Sequence, residues 1–265
     1  MSQESLLPAV AGRILGWLLP ACCLACRAPV SSLRIDCGLC SASQSRLAPV
    51  EPGDVCTICG LCGLRAGPLP SGEGSGERAG SICAACRVRR PAYDRLLAAW
   101  WYQPPLDAVI QDFKFRRLDY LGGHLARTMA ERLRPALADM EGRPSLVSHV
   151  PLHWRRRLAR GYDQARAIAV PLARALDLPF RSTLRRRRST PAQSSLDRAE
   201  RRANLEEVFA VRNAGALAGR RVFLVDDVAT TGATLEAAAR TLKEQGASEV
   251  VGLVAARTPL RLEPR

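Results

Sequence analysis

The chain has 265 residues, 47% of them hydrophobic, so composition allows a real core: one good-sized domain plus a smaller one. Its formal charge of +14, from 39 basic against 25 acidic residues, directs attention to polyanions, either nucleic acid or a multiply phosphorylated small molecule. No run approaches the ~18 apolar residues of a membrane span, and ten cysteines crowded into the first third of the chain exclude an ordinary secreted disulfide framework.

Residues 4 to 19 place Leu6, Leu7, Val10, Ile14, Trp17 and Leu18 at the spacing of a short amphipathic helix. The only cation before the apolar stretch is Arg13, and Ile14 to Leu19 is shorter than the seven or so residues of a signal sequence, so a cytoplasmic protein without membrane insertion is expected. Next come four C-x2-C pairs: Cys23 and Cys26, Cys37 and Cys40, Cys56 and Cys59, Cys83 and Cys86. Eight thiolates at knuckle spacing suffice for two closed tetrahedral Zn²⁺ sites of structural type, with Gly38 and Gly60 placed for tight turns. Adjacency puts the first four on one ion and the last four on the other. An interleaved pairing, a redox relay and an iron–sulfur cluster stand as alternatives, with Cys22 and Cys62 left over. So small a segment, glycine-rich between Gly67 and Gly80, depends on metal for its fold.

From Arg95 the character changes. Leu96 to Tyr102 reads as a first strand. Leu106, Val109, Ile110 and Phe113 have helical spacing, and so do Leu121, Leu125, Met129 and Leu133 after them. Ser145 to Val150 reads as the next strand. It leads into a loop, His153 to Ala165, dense with cations and suited to phosphate. A helix through Ile168, Leu172 and Leu176 follows, then a short strand at Leu178 to Phe180. Residues 185 to 204 form a charged insertion of the kind that serves as a mobile lid, and its four arginines 185 to 188 equally suit a nucleic-acid backbone.

The decisive stretch is Arg221 to Thr234. Val222 to Val225 is a fully apolar run, as expected of a buried parallel strand, and it delivers two adjacent carboxylates, Asp226 and Asp227. Thr230, Thr231, Gly232 and Thr234 then offer hydroxyls and backbone N–H groups where a helix begins, a ready anion site. Carboxylates beside an anion site are reconciled by a ribose phosphate. A helix ending at Gly246 and a strand from Glu249 to Ala256 complete a strand–helix alternation that implies a parallel α/β sheet with ligands at the strand carboxyl ends.

This stretch resembles the phosphoribosyl pyrophosphate (PRPP) signature of type I phosphoribosyltransferases, although Ala229 stands where that family more often has a larger aliphatic residue. The resemblance implies that Asp226 and Asp227 bind the ribose hydroxyls and act at the reaction centre. It implies that Ala229, Thr230, Thr231, Gly232, Ala233 and Thr234 cradle the 5′-phosphate. It further implies a pyrophosphate loop with Pro151, His153, Arg155, Arg156 and Arg160, a flexible loop with Gln193, Arg202 and Asn204, and Mg²⁺ accompanying PRPP.

Across almost its whole length the chain resembles the ComF family of competence-associated proteins. The likeness rests on Cys23 to Cys86, Phe113-Lys-Phe-Arg116, Val150-Pro-Leu152, Arg160-Gly-Tyr-Asp-Gln164, Thr190-Pro-Ala-Gln193, Arg202-Ala-Asn204 and Val225 to Gly232. Tyr162-Asp163 departs from the more frequent Phe-Asn. The resemblance implies residues 1–92 as an amino-terminal helix and double zinc ribbon, and residues 93–265 as a parallel-sheet type I phosphoribosyltransferase domain. It also implies a role in natural transformation, handling internalised single-stranded DNA together with the competence machinery. Two functional classes remain open at this point: a binding protein for PRPP or a related phosphorylated sugar, and an active phosphoribosyltransferase of nucleobase or nucleotide salvage.

Overall fold

A computed structural model describes residues 22–29, 39–51, 53, 55–61, 82–116, 118–138, 140, 142–143, 145–187 and 208–259. The expected amino-terminal helix, Cys37, Cys62, and the flexible-loop residues Gln193, Arg202 and Asn204 lie outside the described residues.

Four parallel strands form the central sheet: β1 (Arg95–Trp101), β2 (Ser145–His149), β5 (Arg221–Ala229) and β6 (Glu249–Arg257), in the order β1-β6-β5-β2. β5 and β6 are central and buried on both faces, which is why their sequences are nearly unbroken apolar runs. The short strands β3 (Leu184–Arg186) and β4 (Phe209–Val211) make a separate antiparallel pair.

Alternation along the strands divides the interior into two cores. Phe223, Val225, Val251, Leu253 and Ala255 face one side, which is covered by α3 (Leu106–Phe115), α4 (Leu121–Ala138) and α6 (Gln164–Ala175). Val222, Leu224, Val250 and Val254 face the other, covered by α7 (Ala233–Glu244). The cysteine segments, which contribute the short helices α1 (Ser41–Gln44) and α2 (Ala84–Val88), share these cores. Cys23 and Leu39 join the first core, whereas Cys56, Ile58, Cys59, Cys83 and Cys86 join the second. Between them the chain pairs with the free edge of β1: Val50 N–H donates to the Ala99 carbonyl (3.3 Å) and Trp101 N–H to that of Ala48 (2.9 Å). The cysteine segments therefore clasp β1 from both faces.

Most expected elements form where the apolar spacing puts them. Phe180, expected in a short strand, makes a single parallel bridge to Val147. The cationic stretch after β2, read from sequence as a loop, instead holds a helix, α5 (Trp154–Arg160). Among the described residues no helix is long and apolar enough to cross a membrane.

Candidate functional site

β5 carries its acid pair toward the carboxyl edge of the sheet and ends at Ala229. Gly232, at φ +81°, then turns the chain into α7. Left-handed backbone there is cheap only for glycine, and space demands glycine as well: a Cβ at this position would lie 3.0 Å from the Tyr93 hydroxyl. Gly232 has no side chain to cap α7, and the Thr231 hydroxyl accepts from the Ala233 N–H at 3.3 Å. Thr230 and Thr231 are exposed, and among the described residues the N–H groups of Thr230, Thr231 and Gly232 donate to no backbone carbonyl. The exposed Thr230 and Thr231 thus leave unbonded donors at the positive end of the helix, an arrangement suited to an anion.

A cleft opens beside this turn. It is lined by Asp226 and Asp227 from β5, Thr234 from α7, and Val150, Pro151 and Leu152 after β2. Arg160, Asp163, Gln164 and Ala165 around the start of α6, Lys114 from α3 and Arg186 from β3 complete it. Of the residues expected from the sequence, the structure thus brings Asp226, Asp227, Thr234, Pro151 and Arg160 to one cavity, with Thr230 to Ala233 on the adjoining turn. Ala229 is buried beneath it, and His153 is buried against Trp154 rather than lining the cleft. Arg155 and Arg156 lie on α5, with their side chains outside the described set.

Electrostatics within the cleft are set by proximity and burial. Lys114 Nζ lies 3.2 Å from Asp227 Oδ1. Asp226 is pushed up to about 8, first by burial and then by the charge of Asp227, against the Asp227 N–H that donates to its Oδ1 at 2.9 Å and the nearby Lys114. Asp163 is occupied structurally: its Oδ2 accepts from Leu152 N–H (2.9 Å) and its Oδ1 from Arg166 N–H (3.1 Å), capping α6 and fixing the loop after β2. Two accepting oxygens serve both donors, which explains an aspartate at a position where an amide would offer one. Tyr162 donates its hydroxyl to the Phe113 carbonyl, binding this turn to α3 just before Lys114.

The cysteines group by adjacency. Cys56, Cys59, Cys83 and Cys86 bring their Sγ atoms within 4.8 Å of one another, all buried, and Cys23, Cys26 and Cys40 do the same with Cys26 exposed. Separations of 3.7 Å between Cys59 and Cys83 and 3.6 Å between Cys26 and Cys40 are far too long for disulfides. Both groups could hold a metal ion. Gly60, at φ +61°, makes the second knuckle possible, because a Cβ there would meet the Leu96 carbonyl at 2.7 Å.

Sequence reasoning did not nominate Lys114, Asp163, Gln164 or Arg186 as site residues. The first three lie in stretches that carried the family resemblance, and that was the available signal. Arg186 was hidden in an arginine run read as a nucleic-acid contact.

Residues 163–264, which include the acid pair, the turn and α7, match the family model described as "Phosphoribosyl transferase domain". The chain is 31% identical over 216 residues to competence protein F of Haemophilus influenzae, covering 80% of this chain and 87% of that protein. It is 31% identical over 236 residues to DNA utilization protein YhgH of Escherichia coli K12, covering 88% and 95% respectively. Against competence protein ComFC of Bacillus subtilis the identity is 27% over 220 residues, 81% of each.

Proposed function

The chain belongs to the competence protein F family, and from that premise we propose that its cleft binds PRPP or a related ribose phosphate in a protein that handles internalised single-stranded DNA during natural transformation. The observation that carries this reading is the junction of β5 and α7, where two carboxylates stand beside an exposed Thr230–Thr231 turn whose N–H groups meet no backbone carbonyl among the described residues. Carboxylates accept hydrogen bonds from sugar hydroxyls and amides donate to phosphate, so one ribose phosphate answers both. Lys114, Arg160 and Arg186 surround the same cavity with positive charge for a further phosphoryl group. Mg²⁺ carried with PRPP would neutralise the diphosphate charge, and the hard carboxylate oxygens of Asp226 and Asp227 are the donors here that suit it.

Zinc fits the cysteine groups. Tetrahedral Zn–S bonds of about 2.3 Å put sulfurs roughly 3.8 Å apart, matching the 3.7 Å between Cys59 and Cys83. For the first set, the C-x2-C spacing supplies Cys37 as the fourth ligand of the proposal. For nucleic acid, the exposed Phe115, Trp154 and Leu158 stand among Arg116, Arg157 and Arg160, a combination of stacking surface and phosphate contacts suited to a single strand in the cytoplasm. Partner proteins of the competence machinery would meet the same face.

A second reading, active phosphoribosyl transfer in salvage, is favoured by the Asp226 carboxyl, whose proton is poised near neutral pH. In that reading the acid pair and the cationic wall stabilise charge as pyrophosphate leaves.

Titration calorimetry with Mg²⁺–PRPP tests the pocket. Wild-type protein should bind, and Asp227→Asn, which removes the partner of Lys114, should bind at least tenfold more weakly, a change of about 1.4 kcal/mol. Equal affinities would refute the assignment. Pyrophosphate release across a panel of nucleobases then separates enzyme from binding protein.

A further inference from the structure

The last residue of β6, Arg257, is completely buried, and its place in the fold is not explained by packing. Its Nε donates to the Cys59 carbonyl at 3.2 Å, and its Nη1 donates to the Ala229 carbonyl at 2.8 Å and to the Thr230 carbonyl. Among the described residues no carboxylate forms an ion pair with it. One guanidinium therefore joins the knuckle of the second cysteine cluster to the turn that follows the acid pair, bridging residues 198 apart in the chain.

Peptide geometry gives this contact a direction. In a planar trans peptide the C=O and the following N–H point opposite ways. Drawing the Ala229 and Thr230 carbonyls inward onto Arg257 turns the N–H groups of Thr230 and Thr231 outward, on the side where both residues are exposed. The buried guanidinium also adds positive charge beneath those donors, offset in part by Tyr93 and the Cys59 and Cys86 thiols nearby. Other contacts keep the two segments in register. Leu96 N–H donates to the Ile58 carbonyl at 2.8 Å, the Tyr93 hydroxyl closes against Gly232, and Arg89, just after α2, pairs with Glu236 in the first turn of α7 at 3.1 Å.

The geometry points to Arg257 as a positioning residue that sets the anion-binding turn and couples ligand binding there to metal occupancy of the Cys56, Cys59, Cys83 and Cys86 cluster. This rests on the ribose phosphate reading and adds to it a reciprocal link: whatever tightens the turn must also tighten the knuckle. The link uses no contact between ligand and metal, because the fork of one side chain serves both segments.

The test uses full-length, metal-loaded protein and two measurements, PRPP affinity by calorimetry and the alkylation rate of each cysteine by mass spectrometry. In the wild type, Mg²⁺–PRPP should slow alkylation of Cys56, Cys59, Cys83 and Cys86 several-fold while leaving Cys26 unchanged. In Arg257→Met, PRPP affinity should fall roughly tenfold or more, and the ligand should no longer protect the four thiols. Arg257→Lys keeps the charge but not the fork and serves as the gentler variant if Arg257→Met does not fold; it should bind more weakly than wild type and show reduced protection. A wild type that fails to bind PRPP removes the ribose phosphate reading and this inference with it. A wild type that binds, with variants that bind and protect equally well, overturns the role of Arg257 alone.

Discussion

The two cysteine clusters share a ligand spacing and differ in how they are built into the protein. Cys56, Cys59, Cys83 and Cys86 are all buried within the core beneath α7, and their knuckle is joined to the anion-binding turn through Arg257. The first cluster sits at the margin of the opposite core, with Cys26 exposed. Its link toward the cleft is an ion pair, Arg27 Nη1 to Asp112 Oδ2 at 3.3 Å, on the helix that presents Lys114. Each cluster thus braces one wall of the same cleft, but with bonds of different strength. Buried hydrogen bonds to a charged group persist in salt and are costly to lose, whereas a half-exposed ion pair contributes little.

The largest expected effect breaks the symmetry of the clusters. Cys86→Ser should collapse the second knuckle, leaving three buried thiols without a compensating ion, and lower Tm by about 10 °C or more. For a chain of this size roughly 2–4 °C corresponds to 1 kcal/mol. Cys26→Ser should cost less than half as much, since its side chain already faces solvent. Thermal melts of the two variants, each with measured metal content, decide the matter. Equal losses would mean that burial does not rank the clusters.

The acid pair lies where the two walls meet, and its pH behaviour sharpens the comparison. Asp226 stands at about 8 in the folded protein, against about 3.9 for an unfolded aspartate. Between those values the folded chain holds more protons than the unfolded one, so stability falls as pH rises through that window. Asp226→Asn removes the penalty. Its Tm should match wild type near pH 4 and exceed it by a few degrees at pH 8, while PRPP binding weakens. Parallel Tm profiles for the two proteins would show that Asp226 ionises as an ordinary carboxylate.

How much of this was readable from residues alone depends on what each residue does. β5, its carboxylates and the turn into α7 were legible because an apolar run, a charge pair and a Thr/Gly turn are local signals. The adjacency of the cysteines was legible for the same reason. Helix α5 was not, because its apolar residues, Trp154 and Leu158, are both exposed and leave no periodic buried stripe for pattern reading to find. Lys114 and Arg186 could not be placed in the cleft because only the tertiary fold brings α3 and β3 to the end of β5. Arg257 is the clearest miss. The expected strand stopped at Ala256, since an arginine after an apolar run reads as the exposed end of a strand, and nothing local says that carbonyls 28 and 198 residues away await its donors.

The smallest expected effect concerns the first cluster's link. Arg27 is more than half exposed, and Asp112 has a second partner, Arg116 Nε at 2.9 Å, one helical turn away. Arg27→Ala therefore does not orphan a buried carboxylate, and the large penalty of leaving a charge unpaired does not arise. What is lost is one screened surface interaction, at most about 1 kcal/mol. Melting at low ionic strength should show a Tm lower by roughly 2–4 °C at most, and the difference should vanish near 1 M salt, where the screening length shrinks to about 3 Å. PRPP affinity should stay within about twofold of wild type, because Lys114 remains held by Asp227, and Tyr162 still anchors α3 at Phe113. A loss as large as that of Cys26→Ser, persisting in high salt, would instead make Arg27 the main tie between the first cluster and the cleft, and the two clusters would be equal partners in bracing it.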